Sequence, residues 1–300
     1  MNASLENKCP ICNCEQFVYV ATCTDCFTTL EKFDIIECKK CKLKITKDAP
    51  NSESIGRYYQ SNSYISHSNN NKGLINRLYH KVRTYMLRKK VRLIHSHSQL
   101  KNGKALDFGA GIGLFVQEMV KSGWSCIGIE KSQEAREYAK TLNNTNLQPN
   151  SYWSSIENDS LDVITMWHVL EHIEELDTLW QNINLKLKEK GLLVIAIPNV
   201  ESFDAIHYKG SWAAYDVPRH LWHFSEATFK KLVSKYNFKV DKVKRMPFDG
   251  FYISMMSEKN NGSKLSLFKG FAWGVLGYIQ SLFNTNKSSS LIYFLTKNEQ

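Results

Sequence analysis

Three sets of side chains in this 300-residue chain have the types and spacings that do chemistry. The first is thiol. Cys9-Pro-Ile-Cys12 and Cys38-Lys-Lys-Cys41 are two C-x-x-C pairs, and four thiolates supplied as two such pairs meet the tetrahedral demand of a structural Zn²⁺, leaving no open position for catalysis. Cys23-Thr-Asp-Cys26 is a third C-x-x-C that could replace one pair or bind nothing, and Cys14 lies nearby. The outer four, Cys9, Cys12, Cys38 and Cys41, are the expected metal ligands. The second set is the glycine turn Asp107-Phe-Gly-Ala-Gly-Ile-Gly113. Gly109, Gly111 and Gly113 lack a Cβ, so the main chain there can pass close to a ligand and offer it the free N–H groups of a helix start. About 20 residues on, as adenosine binding requires, Ser125-Cys-Ile-Gly-Ile-Glu130 ends in a carboxylate able to accept from two ribose hydroxyls. The third set is imidazole, suited to taking a proton near neutral pH. His168, His172, His220 and His223 are the candidates, and His220 and His223 are favoured because Asp216, Arg219 and two tryptophans surround them in sequence. The competing state for each is the ordinary one of a buried histidine bonded to main-chain carbonyls.

The elements that must position these groups alternate. Lys104–Asp107 reads as a buried strand, Leu114, Val116, Met119 and Val120 as the helix after it, and Ser125–Glu130 as a second strand. Ser132 caps a helix through Leu142, the stretch near Gln148 to Trp153 is a weak third strand, and Leu161–Trp167 is a clear fourth. A helix from about 174 to 188 precedes the strand Gly191–Pro198. This alternation predicts an α/β fold with a doubly wound parallel sheet, whose ligands sit beyond the strand carboxyl ends. Asp107, Glu130, Trp167 and Pro198 all fall at such ends. The long aromatic loop from Asn199 to Ser225 is the expected place of acceptor recognition. Phe238–Arg245 and Gly250–Met256 alternate like half-exposed strands, and Ser289–Thr296 is the last strand. Lys269 and three glycines argue against a membrane span in the apolar segment Leu265–Phe283. It is expected to be an extra helix packed on the sheet, with surface attachment as the alternative.

Composition fits a soluble globular protein. No apolar run follows Met1, so a cytoplasmic location with reduced thiols is expected. The net charge of +10 is matched by ten basic and no acidic residues from Lys72 to Lys104, a block that could face an anionic surface or simply be solvated. Arg57 to Asn71 reads as a linker carrying Tyr58, Tyr59 and Tyr64, which either cover a ligand or pack the cysteine module. Leu74, Ile75, Leu78, Tyr79, Val82, Tyr85 and Met86 recur at helical spacing in a basic amphipathic helix running toward Ile94.

The D-x-G-x-G-x-G turn, Ile127-Gly-Ile-Glu130, Trp167-His-Val-Leu-Glu-His172, Gly191–Asn199 and Pro218-Arg-His-Leu-Trp-His-Phe-Ser225 together resemble the class I S-adenosylmethionine-dependent methyltransferases over about residues 70 to 300. The cysteine pairs resemble a zinc ribbon, an arrangement similar to a group of bacterial methyltransferases. The resemblance implies a Rossmann-like, doubly wound, mostly parallel seven-stranded sheet with a small N-terminal zinc-ribbon module. It divides the chain into a ribbon at 1–50, a linker and basic helix at 51–103, and a catalytic domain at 104–300 with an insertion at about 260–288. It further implies that Gly109 and Gly111 approach the methionine part of S-adenosylmethionine and that Asp107 orients its amino end. Trp167 and His168 would line the path toward adenine and methyl, and the helix before Lys104 would form a lid. The expected reaction is O-methylation of a small-molecule, glycan-like or lipid-linked acceptor. A nucleic-acid methyltransferase gripping phosphates with the ribbon and basic helix is the disfavoured alternative, since no amino-methylation signature is present; a non-catalytic binding module is the third.

Overall fold

The computed structural model describes residues 8–59 and 74–298, with backbone alone for 74–79. The expected linker from residue 60 onward with Tyr64, the residue Lys72, and the side chains of Leu74, Ile75, Leu78 and Tyr79 lie outside the described residues.

β1 (Phe17–Thr24), β2 (Lys32–Cys38) and β3 (Lys44–Thr46) form an antiparallel meander, followed by a 3-10 turn at Ile55–Tyr59. Then come α1 (Leu74–Ser98), β4 (Lys104–Phe108), α2 (Leu114–Lys121), β5 (Ser125–Ile129), α3 (Gln133–Asn143) and β6 (Leu161–Trp167). After a 3-10 turn at Leu170–His172 the chain forms α4 (Leu176–Lys186), β7 (Leu187–Pro198), α5 (Phe203–Tyr208) and the two-residue β8 (Trp222–His223). It closes with α6 (Glu226–Lys235), β9 (Phe238–Arg245), α7 (Asp249–Asn260), α8 (Ser266–Phe283) and β10 (Ser290–Lys297).

Two sheets result, one ordered β1-β2-β3-β8 and one ordered β5-β4-β6-β7-β10-β9. β4 runs parallel to both β5 and β6. The chain leaves β4 for β5 on one side and returns as β6 on the other, so the order reverses at β4, and such reversals are where open α/β sheets hold ligands. Local chemistry sets the helix starts. Ser132 accepts from the Ala135 amide, Ser202 from the Ala205 amide, and Ser225 with Thr228 forms a capping box. The run Leu192–Ile197 is buried along its whole length, as a strand covered on both faces must be.

The chain divides into two compact units. The first draws on Met1–Tyr64, Leu170–Leu176 and Ala196–Tyr293, the second on Ile65–Val169, Asp177–Ile195 and Phe294–Gln300. This division crosses the boundary expected near residue 50, because β3 pairs with β8, Ile45 opposite Trp222, and the cysteine module shares a sheet with the loop after β7.

Two expected elements form differently. Gln148 makes a single bridge to Ile129 and the chain then turns into a 3-10 helix at Asn150–Ser155, because Pro149 removes the next ladder donor. The sheet therefore has six strands rather than seven among the described residues. Gly250–Met256 lies in α7, not in a strand: its apolar residues continue without true alternation, and Phe248, at φ 80, starts the helix. Of the linker tyrosines, Tyr58 is buried and packs edge-on against Phe33 within the first unit. Among the described residues no helix is long and apolar enough to cross a membrane.

Candidate active site and metal centre

In the second unit, the turn after β4 is stitched to the end of β5. The amides of Gly109 and Ala110 both donate to the Ile129 carbonyl, at 2.8 and 2.9 Å. The half-buried Glu130 carboxylate accepts from the Gly111 amide at 2.8 Å through one oxygen and from the Ser132 amide at 2.9 Å through the other. Each oxygen keeps a second lone pair, so the carboxylate stays able to accept two ligand hydroxyls. All three turn glycines have positive φ, but their surroundings differ. A Cβ at Gly109 would run into Val169, and one at Gly113 would come within 2.8 Å of Thr145 Cγ2. One at Gly111 would meet nothing within 4 Å. Gly109 and Gly113 are thus required by packing, while Gly111, whose N–H holds Glu130, faces open space.

Asp107 is 2% exposed and accepts from Thr165 Oγ1 at 2.6 Å. Burial pushes its carboxyl up to about 7, against the pull of Thr165 and Lys90 and helped by the charge of Glu130. A ligand ammonium beside it would restore the ionised form. Trp167 ends β6, edge-on to Phe115 at 5.3 Å, with Lys90 of α1 lying 4.1 Å over its ring. The indole N–H of Trp167 is buried with no hydrogen-bond acceptor among the described residues. His168 follows it in a left-handed conformation, φ 60.

In the first unit, Glu171, His172 and His220 bring their ligand-type atoms within 4.8 Å of one another. His220 Nδ1 lies 2.9 Å from the Ala214 carbonyl, so the ring proton belongs there and Nε2 carries the lone pair. Two carboxylates face that nitrogen, Asp216 at 3.8 Å and Glu171 at 4.0 Å. His172 Nδ1 lies 2.9 Å from the Arg219 carbonyl. Burial, with His220 beside it, holds its pKa down to about 4. His223 stands apart from this group. It belongs to β8 opposite Lys44, its Nε2 bonds Thr46 Oγ1 at 2.8 Å, and burial lowers its pKa well below the ordinary value. Its surroundings are those of a structural histidine.

Four thiols meet at one end of the meander. Cys9 and Cys41 lie 3.2 Å apart, Cys12 and Cys38 3.5 Å apart, and all four sulfurs fall within 4.8 Å of one another. The two turns are built alike: the Asn13 amide donates to the Cys9 carbonyl and the Lys42 amide to the Cys38 carbonyl, with both residues left-handed. The hydrogen bond from Cys41 lowers the Cys9 thiol to about 5 against the cost of burial. Cys14 instead bonds at Gln16, and burial pushes Cys23 up to about 12. The spacing between sulfurs is close to the ~3.8 Å that four bonds of ~2.3 Å to one tetrahedral zinc would set.

Sequence spacing missed several contributors. Glu171 sat inside a quoted stretch without a role, Asp216 counted only as a sequence neighbour favouring His220 and His223, Lys90 counted only as part of a charge block, and Thr165 carried no signal at all.

A sheet that reverses its order at β4, with β5 and β6 parallel to it on either side, is the arrangement of doubly wound α/β domains. Comparison with known proteins narrows this class. The family described as methyltransferase domain matches residues 78–243, and the chain belongs to it. The chain is similar to the ubiquinone biosynthesis O-methyltransferase of Pelagibacter ubique, 31% identical over 109 residues, covering 35% of this chain and 45% of that protein. It is also similar to the protein of the same name from Rickettsia bellii, 28% identical over 141 residues, covering 45% of this chain and 59% of that protein. The chain spans about half the length of the curated relatives it matches. Among solved structures it is similar to a SAM-dependent methyltransferase from Archaeoglobus fulgidus, 18% identical with TM-score 0.47, covering 72% of this chain and 94% of that one. Another is an S-adenosylmethionine-dependent methyltransferase from Mesorhizobium loti, 12% identical with TM-score 0.47, covering 70% and 97%.

Proposed function

We propose that this protein transfers the methyl group of S-adenosylmethionine to an oxygen of a small-molecule acceptor. The observation that carries the cofactor assignment is the Glu130 carboxylate, pinned at the end of β5 by the Gly111 and Ser132 amides with two lone pairs to spare. Glu130 would accept from the ribose hydroxyls, Asp107 would hold the amino group, and Gly109, Gly111 and Gly113 would let the main chain pass close to the methionine part. Trp167 would offer its indole N–H. When bound, the cofactor supplies a methyl group on a sulfonium, whose displacement needs alignment and no acid for the leaving group. The names of the curated relatives support oxygen as the accepting atom.

A hydroxyl acceptor must lose a proton, and His220 is the base whose surroundings fit that task. Its Nε2 lone pair is fixed by the bond at Nδ1, and Asp216 and Glu171 would stabilise the imidazolium that forms. His223, bound to Thr46, is assigned to the sheet, and His168 remains an alternative base at the end of β6. In His220→Gln, methyl incorporation from radiolabelled cofactor into the acceptor fraction of a cell extract is expected to fall by about 10²–10⁴-fold. Affinity for the cofactor should stay as it was. Unchanged incorporation would remove His220 from the reaction.

Zn²⁺ bound by Cys9, Cys12, Cys38 and Cys41 would close the meander as a structural site without a catalytic position. Metal analysis of purified protein is expected to find one equivalent of zinc, and Cys38→Ser should lose most of it together with the cooperative unfolding of the module. Full retention of one equivalent would refute this ligand set.

A further inference from the structure

Helix α8 is built with its small residues inward and its large ones outward. Its buried positions are Gly270, Gly274 and Ser281, which share one face at helical spacing. They let α8 press on α7: a Cβ on Gly270 would overlap the Met255 backbone, and one on Gly274 would come 2.8 Å from Phe251 Cα. The sides away from that face carry Phe268, Phe271, Leu276, Ile279, Leu282 and Phe283, each between 45% and 88% exposed. A surface helix ordinarily turns such residues to the core, and a contiguous apolar strip left in water marks a surface with something to meet.

The charge around the strip narrows what that is. From Lys259 to Asn298 the sequence has five lysines and no aspartate or glutamate. Lys259 at the end of α7, Lys264 just before α8 and Lys269 in its first turn are all exposed. A second copy of this chain seated on the same face would bring these lysines against their own counterparts, with no carboxylate in the segment to answer them. A bilayer with anionic headgroups offers both an apolar layer for the phenylalanines and leucines and counter-charge for the lysines. Spanning is not involved, since no described helix is long and apolar enough to cross. We propose that α8 docks this protein on the surface of anionic membranes, lying in the interface with its Phe268–Phe283 side in the lipid. This surface is independent of the methyl-transfer assignment, and either can fail without the other.

Co-sedimentation of the full chain with lipid vesicles tests it. Wild-type protein is expected to pellet with vesicles of phosphatidylcholine containing about a third phosphatidylglycerol, and to bind phosphatidylcholine alone about a hundredfold more weakly. Phe268→Asp combined with Phe283→Asp should weaken binding at least about tenfold. Both side chains are exposed, so the circular dichroism spectrum and melting temperature should stay at the wild-type values. Lys264→Glu with Lys269→Glu, which leaves the apolar strip intact, should abolish the preference for the anionic vesicles. Wild-type protein remaining in the supernatant with both compositions would overturn the proposal, as would a Phe268/Phe283 variant that is folded and pellets like wild type. A dimer in sedimentation equilibrium that the same two substitutions dissociate would give the face to a second copy and overturn it too.

Discussion

Replacing Glu130 with Ala is expected to raise the Kd for S-adenosylmethionine by about 10²–10⁴-fold. A hydrogen bond to a charged acceptor contributes about 1.5–3 kcal/mol, and two ribose hydroxyls would make two of them, so the loss is about 3–6 kcal/mol. Part of it comes from the turn itself, because the carboxylate also holds the Gly111 amide at 2.8 Å and the Ser132 amide at 2.9 Å. Glu130→Gln separates these contributions. It keeps one acceptor oxygen but loses the charge, and its Kd should fall between those of the wild type and the alanine variant. Isothermal titration with the cofactor or its demethylated product reads the series. A folded Glu130→Ala protein that binds within about threefold of wild type would contradict the placement of the ribose.

The largest expected effect on stability belongs to Arg219→Ala, about 3–5 kcal/mol lost at neutral pH. Arg219 is 2% exposed and Asp25 is fully buried. The guanidinium donates to Asp25 Oδ1 at 3.0 Å, to both oxygens of Asp216 and to the Tyr58 carbonyl at 2.8 Å. Removing it leaves Asp25 buried and charged with only amide and hydroxyl donors of its own turn. Burial pushes both carboxyls up, but hydrogen bonds and the Arg219 guanidinium outweigh it: Thr29 and Arg219 hold Asp25 below its ordinary value, and Arg219 does so for Asp216. Depressed carboxyls contribute stability that is complete above the unfolded value near 4 and is lost as pH falls through the folded one. Wild-type unfolding midpoints in urea should therefore drop steeply below about pH 4, while those of Arg219→Ala, already low, should change less over that interval. A change under about 1 kcal/mol at pH 7 would mean that the cluster is not holding the first unit together.

The parts of the fold legible in the sequence are those set by near neighbours along the chain. Gly109 to Glu130 spans one βα unit, and the two C-x-x-C turns each close on themselves through Asn13 and Lys42. Both motifs state their geometry locally. The Arg219–Asp25 pair joins positions 194 residues apart, and the pairing of β3 with β8 rests on two residues, Trp222 and His223, that carry no strand pattern of their own. Nothing local announces such contacts. Gly250–Met256 misled because an apolar run can serve a helix or a strand, and tertiary packing against α8, through Gly270 and Gly274, settled the matter. The histidines show the same limit. Their grouping into His168 and His172 on one stretch and His220 and His223 on another was visible, but the ring nitrogen each leaves open depends on the carbonyls of Ala214 and Arg219 and on the hydroxyl of Thr46.

Everything proposed about methyl transfer rests on the glycine turn after β4, with Asp107 before it and Glu130 bonded to its Gly111 amide. Titration of S-adenosylmethionine into the pure, folded, full-length protein in a calorimeter tests it most directly. The expected result is saturable heat for a single site, abolished in Glu130→Ala. No heat from either the cofactor or its demethylated product, in protein whose unfolding is cooperative, would contradict it.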